Sequence, residues 1–206
     1  MSPNSIVQAA ALRQAGLIFK ESAEIEEYLY GLLEEFLYDS SHETSLRIHA
    51  AEIINTATNL NRRLQTLSKL LLEEGNTQLQ EWALGKTQSL FRQSAENENF
   101  LYQPLEEFLL NSRREILLRI NAAEIINTAT DLSRKLKTLS KLLLEKTELR
   151  NTAVRLLTPY KQELARVESD AYTVLETLNF EYRLDKPEPK DLIISQIEQI
   201  ITSSSQ

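Results

Sequence analysis

Cysteine is absent from the 206-residue chain, and glycine and proline are scarce, with four and five residues. The absence of cysteine excludes disulfides, thiolate metal sites and thiol catalysis. Four glycines leave no glycine-rich phosphate loop, and the sequence contains neither an H-E-x-x-H nor a G-x-S-x-G motif. The chain therefore lacks common catalytic signatures and has few natural breaks.

Positive charge is also limited, because the formal net charge is −7 and the isoelectric point is near 5.1. Nucleic acids and anionic lipids bind concentrations of Lys and Arg, so we expect neither as a partner. Apolar runs such as Leu70–Leu72 are far shorter than the ~18 residues that span a bilayer. The N-terminal stretch has no basic head followed by an apolar run, and we expect a cytoplasmic location without membrane contact.

The chain contains an internal duplication. The nine residues AAEIINTAT occur at 50–58 and again at 122–130. The match extends without gaps over 50–73 and 122–145, where 20 of 24 positions are identical. Agreement of this extent does not arise by chance, so one supersecondary unit has been copied.

Helical spacing runs through both halves of the copied unit. In the second half, apolar residues are spaced alternately by four and three, which predicts an a/d seam on one long helix. In the first unit the seam consists of Leu46, Ala50, Ile53, Ala57, Leu60, Leu64, Leu67 and Leu71. Between the halves, S-x-x-E capping boxes at Ser40–Glu43 and Ser112–Glu115 mark a tight turn. Each unit is therefore predicted to be an αα-hairpin of two long helices.

We predict an all-α fold in which two duplicated long αα-hairpins form a four-helix bundle or a short helical stack. The hairpin repeats cover residues 1–75 and 76–157. A fifth helix within 158–183 is expected to pack on the bundle. Residues 184–206 combine a proline-containing linker with a short amphipathic helix and a polar tail. Pro104 is predicted to kink or split the third helix.

The two histidines, His42 and His49, are replaced by Arg114 and Asn121 in the second copy. A di-iron bundle needs Glu-x-x-His pairs on facing helices, and neither histidine has that spacing, so we expect no metal and no cofactor. His49 leaves histidine phosphotransfer open as an alternative. Glu52, three residues later, would repel a phosphate, which favours a surface histidine that differs from its twin.

Polar residues on the side of the predicted helix opposite the seam are also retained in both copies. The retained residues that form this predicted interaction face are Glu52, Asn55, Arg62 and Lys69, with Glu124, Asn127, Arg134 and Lys141 in the second copy. One interpretation is a recent duplication in which little has changed. The other is that both copies present the same surface to a partner.

The sequence therefore favours a non-enzymatic protein–protein interaction module, such as a scaffold, adaptor or regulatory protein. The expected partner is another protein or a second copy of the chain. Two alternatives stay open: a histidine phosphotransfer protein that uses His49, and a bundle that binds an apolar small ligand where Pro104 breaks the symmetry of the repeats.

Overall fold

The computed structural model describes residues 3–145 and 147–183, and the predicted C-terminal helix lies outside them. The described secondary structure is helical throughout, which confirms the all-α class. The α-helices are α1 (Pro3–Ile18), α2 (Ala23–Tyr38), α3 (Thr44–Ile54), α4 (Leu60–Leu72), α5 (Thr77–Phe91), α6 (Ala95–Leu110), α7 (Ile116–Asn127), α8 (Leu132–Ser140), α9 (Thr147–Leu157), α10 (Lys161–Val167) and α11 (Ser169–Arg183). Short 3-10 helices cover Lys141–Leu144 and Thr158–Tyr160. None of the helices in these ranges combines the length and the hydropathy needed to cross a bilayer.

The prediction of one uninterrupted second helix in each unit is wrong. α3 and α4 are separate helices, and so are α7 and α8. Asn59 begins α4, and its side chain accepts a hydrogen bond from the backbone N–H of Arg62 at 3.3 Å. Asp131 caps α8 in the same way, accepting from the N–H of Arg134 at 2.9 Å. Asn and Asp are strong N-cap residues, which explains why a new helix begins at both places.

A buried carboxylate holds the interruption between α3 and α4. Glu26 of α2 is only 7% exposed, and it accepts hydrogen bonds from the backbone N–H of Thr58 at 3.0 Å and from its hydroxyl at 2.9 Å. Most of the predicted seam is nevertheless buried on both sides of the break, with Leu60 only half-buried. The apolar spacing identified the buried face correctly, but it did not reveal that the helix changes course.

Serine caps explain another pair of helix breaks. Ser22 precedes α2 and accepts from the N–H of Ile25 at 3.2 Å, and Ser94 precedes α6 and accepts from the N–H of Asn97 at 3.1 Å. α6 continues through Pro104 without a break. The predicted split at Pro104 is therefore wrong, because the interruption precedes α6 and occurs equally in the first repeat, where no proline is present.

The tight turn between α2 and α3 is present, but the predicted capping boxes at Ser40 and Ser112 are wrong. Glu43 and Glu115 are themselves the N-cap residues, and neither makes a side-chain cap hydrogen bond. The carboxylate of Asp39 closes the turn by accepting a backbone N–H two residues on, at 2.8 Å. The equivalent asparagine of the second repeat does the same at 3.0 Å.

A buried arginine ties the helices of each repeat together. Arg47 of α3 is 3% exposed, and it donates from Nε to the carbonyl of Leu37 at 2.6 Å and from a terminal nitrogen to Glu73 at 2.5 Å. Arg119 repeats both contacts at 2.7 and 2.6 Å. The arginine thus joins the end of one helix to the end of another, and it satisfies a helix-terminal carbonyl that has no partner within its own helix.

The chain divides into two compact units, residues 1–108 and 109–206. In the first unit, α5 packs against α3 and α4. In the second unit, α9 packs against α7 and α8, α10 packs against α8, and α11 packs against α9 and α10. The fifth helix predicted within 158–183 is therefore not a single element. A short 3-10 turn, α10 and α11 take its place.

Candidate functional site

Two cations of the predicted interaction face contact α2 of their own repeat. Arg62 pairs with Glu27 at 2.6 Å, and its guanidinium lies 4.7 Å from the centre of the Tyr30 ring. Lys69 pairs with Glu34 at 2.6 Å. These contacts give a structural reason for their retention, because each one joins α4 to α2.

The other residues of that face occupy varied environments. Glu124 pairs with Arg155 of α9. The side-chain oxygens of Asn55 and Asn127 are buried and accept no hydrogen bond. The remaining three residues, Glu52, Arg134 and Lys141, are exposed or half-buried. Because α3 and α4 are separate helices, the predicted face is not one continuous helix surface.

The side chain of His49 is 39% exposed, and its Nδ1 lies 3.5 Å from a carboxylate oxygen of Glu52. An adjacent carboxylate opposes the approach of a phosphate. Phosphotransfer at His49 stays a prediction. Within 3–145 and 147–183, no three His, Asp or Glu side chains converge as metal ligands would.

A concave site lies along α5, where that helix meets the end of α3 and the first turns of α4. We call this site the α5 groove, and its volume is about 680 Å³. The residues that define it are Asn55, Arg63, Glu81, Trp82, Lys86 and Leu90. A volume of this size falls within the range of ligand sites in proteins.

The turn before α5 fixes the position of the groove. Gly75 has a φ of +85°, a left-handed conformation that favours glycine. Asn76 then caps α5, and its amide donates to the hydroxyl of Thr44 at the start of α3 at 3.1 Å. Gln80 donates to the carbonyl of Glu73 at 2.5 Å. These bonds hold α5 against α3 and α4.

Three polar atoms at the groove are buried without a hydrogen-bond partner. They are the side-chain oxygen of Asn55, Nε of Arg63 and Nε1 of Trp82. An unpaired buried polar group costs about 1–3 kcal/mol, so such groups are uncommon in folded proteins. The groove therefore contains two donors and one acceptor that are unsatisfied among the described residues.

The groove carries two cationic side chains, Lys86 and Arg63, together with the acid Glu81. The ammonium of Lys86 lies 5.7 Å from the centre of the Trp82 ring. Among the described residues, neither Lys86 nor Arg63 forms an ion pair with an acidic side chain. A cation near an indole ring and a half-buried arginine are typical of recognition surfaces.

The second repeat contains a helix that matches α5. Arg150 of α9 donates to the carbonyl of Glu145 at 3.0 Å, as Gln80 of α5 does to Glu73. Gln80 and Arg150 are 70 positions apart, so the turn before α9 is two residues shorter than the turn before α5. At this shift the buried apolar residues of the two helices coincide, Leu79 with Leu149 and Ala83 with Ala153.

The matching surfaces of α5 and α9 differ in what covers them. On α5 the surface carries Trp82, Gly85 and Lys86, and on α9 the same positions are Thr152, Arg155 and Leu156. Thr152 and Leu156 are buried, and α11 packs against α9. Trp82 and Lys86 are only half-buried and line an open groove. Lys135, the copy of Arg63, is also buried, and its ammonium lies 4.5 Å from the centre of the Tyr160 ring. Within the described residues, the second repeat therefore covers part of this surface with its own chain, and the α5 surface has no such cover.

No protein-family model, curated protein or solved structure matches the chain. Function is therefore argued from the geometry. The predicted face contributes only Asn55 to the α5 groove, and the sequence analysis missed Trp82, Gly85 and Lys86. The signal in the sequence for these residues was the segment after residue 73, where the two copies no longer match at a shift of 72 positions.

Proposed function

We propose that the chain is a non-enzymatic protein-interaction module that binds a helical segment of a partner protein in the α5 groove. The observation that carries this proposal is the packing of Tyr160 over Lys135, the copy of the groove residue Arg63. The second repeat thus covers this surface with a segment of its own chain, whereas among the described residues the equivalent surface on α5 is an open groove. A partner helix would cover the half-buried Trp82 as Tyr160 covers Lys135.

The size of the groove supports a helix rather than a compact ligand. From Gln78 to Leu90, the groove residues of α5 extend over about 18 Å, at about 1.5 Å per residue. A short helix docks in such a groove through residues spaced by three and four. Ile48 and the indole ring of Trp82, both half-buried, offer apolar contact area for these residues.

The free donors give the docked helix a direction. The last four carbonyls of a helix have no partner in their own helix. Arg63 Nε and Trp82 Nε1 are two N–H groups without acceptors at the same site. We expect the C-terminal end of the partner helix to lie against them, because the positive charge of Arg63 also complements that end of the helix dipole.

Site-specific cross-linking tests the proposal, because a cysteine-free chain can be labelled at one introduced cysteine. Ser89 lines the groove and Gln88, its neighbour on α5, does not, although both are exposed. Ser89→Cys and Gln88→Cys would each be labelled with a photoactivated benzophenone. The labelled proteins would then be irradiated in lysate of the cells that express the chain.

We expect a discrete adduct with Ser89→Cys that is absent with Gln88→Cys, because only the first label lies in the groove. Equal adducts from both positions, or none from either, would contradict the proposal. Transfer of phosphate from a phosphodonor to the wild-type chain, lost in His49→Ala, would instead support the phosphotransfer alternative.

A further inference from the structure

We propose that the partner segment inserts an arginine side chain over Gly85, where its guanidinium pairs with Glu52. This inference rests on the proposed function and names the chemistry that the partner must supply. It follows from one position at which the matching helices α5 and α9 differ, and from the acidic residue that faces that position in both repeats.

The second repeat contains the proposed contact within its own chain. Arg155 of α9 occupies the position that Gly85 occupies on α5, and it pairs with Glu124 of α7. Glu124 is the copy of Glu52. On α3, the Glu52 carboxylate lies 3.5 Å from His49, and the Glu52 side chain is 51% exposed. The acid is present in both repeats, whereas the first repeat has glycine where the second has arginine.

The space for an arginine is open. A Cβ atom placed on Gly85 would meet no atom within 4 Å, and Gly85 is exposed. The backbone there is ordinary helix, so the conformation does not require glycine. Glu52 shares a face of α3 with Ile48 and Asn55, which both line the groove. By analogy with Glu124 and Arg155 of the second repeat, we place the Glu52 carboxylate beside the gap over Gly85.

A second acid favours a cation at the same place. Glu81 lies one helical turn before Gly85 on α5 and lines the groove. A guanidinium has five N–H donors in a planar fork, so it can bind two carboxylates at once, which an ammonium does less well. Arg63 and Trp82 bind acceptors on the segment, and the acids bind its arginine.

The probe for this site is a nine-residue arginine peptide, compared with a nine-residue lysine peptide in 150 mM salt. Trp82 is the only tryptophan of the chain and lies in the groove, so its emission reports binding directly. We expect the arginine peptide to change the emission at lower concentration than the lysine peptide. Glu52→Gln should weaken arginine-peptide binding about fivefold, as expected for an exposed ion pair.

Two matched controls separate a specific contact from general attraction to an acidic chain. Glu35→Gln removes the same charge from an exposed position on α2 and should change binding less than about twofold. Gly85→Arg should fill the gap from within and abolish the Trp82 response. Gly31→Arg makes the same substitution at another exposed helical glycine with open space around it and should leave the response intact.

Equal losses of arginine-peptide affinity in Glu52→Gln and Glu35→Gln would overturn the inference. An unchanged Trp82 response in Gly85→Arg would also overturn it, and so would the absence of any Trp82 response to millimolar arginine peptide. Concentration-dependent Trp82 emission of the chain alone, with dimers by light scattering, would assign the groove to a second copy and also overturn it. If the Ser89→Cys adduct forms but the arginine peptide does not compete with it, the proposed function stands and only the arginine inference fails.

Discussion

The buried arginine of the first repeat offers a sharp test of what holds the helices together. Arg47→Met keeps most of the aliphatic stem but removes the donors to the Leu37 carbonyl and to Glu73. Hydrogen bonds to charged groups contribute about 1.5–3 kcal/mol each, and breaking a buried ion pair costs about 3–5 kcal/mol. Because the Glu73 side chain is 20% exposed and can recover some hydration, we expect unfolding to become easier by about 3 kcal/mol.

Urea unfolding followed by Trp82 emission measures this loss, because the only tryptophan lies in the same compact unit as Arg47. Arg92→Met is the matched control, since Arg92 is exposed and its loss should change the unfolding free energy by less than about 0.5 kcal/mol. Arg119→Met, followed by circular dichroism, should be destabilised as Arg47→Met is. A loss below about 1 kcal/mol in Arg47→Met would show that the two contacts do not stabilise the repeat.

Three further predictions use the same urea assay. Gly75→Ala should lower the unfolding free energy by about 1 kcal/mol, because the φ of Gly75 is +85°. Gly85→Ala should raise it by about 1 kcal/mol, because Gly85 lies in a helix with open space around it. Equal effects of the two substitutions would refute this contrast. Glu26→Gln should lower the unfolding free energy by about 1.5 kcal/mol, because a carboxylate that accepts twice from Thr58 becomes an amide, and an unchanged value would dismiss this role. Burial raises the pKa of Tyr38, so the neutral phenol stabilises the fold below pH ~10, and this contribution falls at higher pH. Between pH 9 and 11, Tyr38→Phe should therefore lose less stability than the wild type.

The helical class and the duplication could be read from the sequence because both depend on local spacing. The break between α3 and α4 could not be read from the seam, since the apolar spacing continues across it. The run of Asn and Thr from Asn55 to Asn59 is typical of a loop, and Asn59 at its end is a strong N-cap residue. The contact that holds the break comes from Glu26, more than 30 residues away, and no local pattern reveals it.

The α5 groove could not be predicted for a different reason. It depends on which surface is covered by another segment of the chain, which no local pattern reveals. The turn before α9 is also two residues shorter than the turn before α5, so a constant shift of 72 aligned Gly85 with Leu157 rather than with Arg155. This difference in turn length hid the substitutions that change the chemistry of the site.

Positions that are identical in the two copies and positions that differ carry different information about folding and function. Arg47 and its copy make the same buried contacts, so their retention is explained by folding, and in the first repeat Arg62 and Lys69 bind acids on α2. Glu52 is different, because its copy has a partner in the chain at the position where α5 has glycine. The first repeat has glycine where the arginine partner would be, and this fits an arginine supplied to Glu52 by another molecule. Function is therefore to be sought where the copies differ around a retained residue.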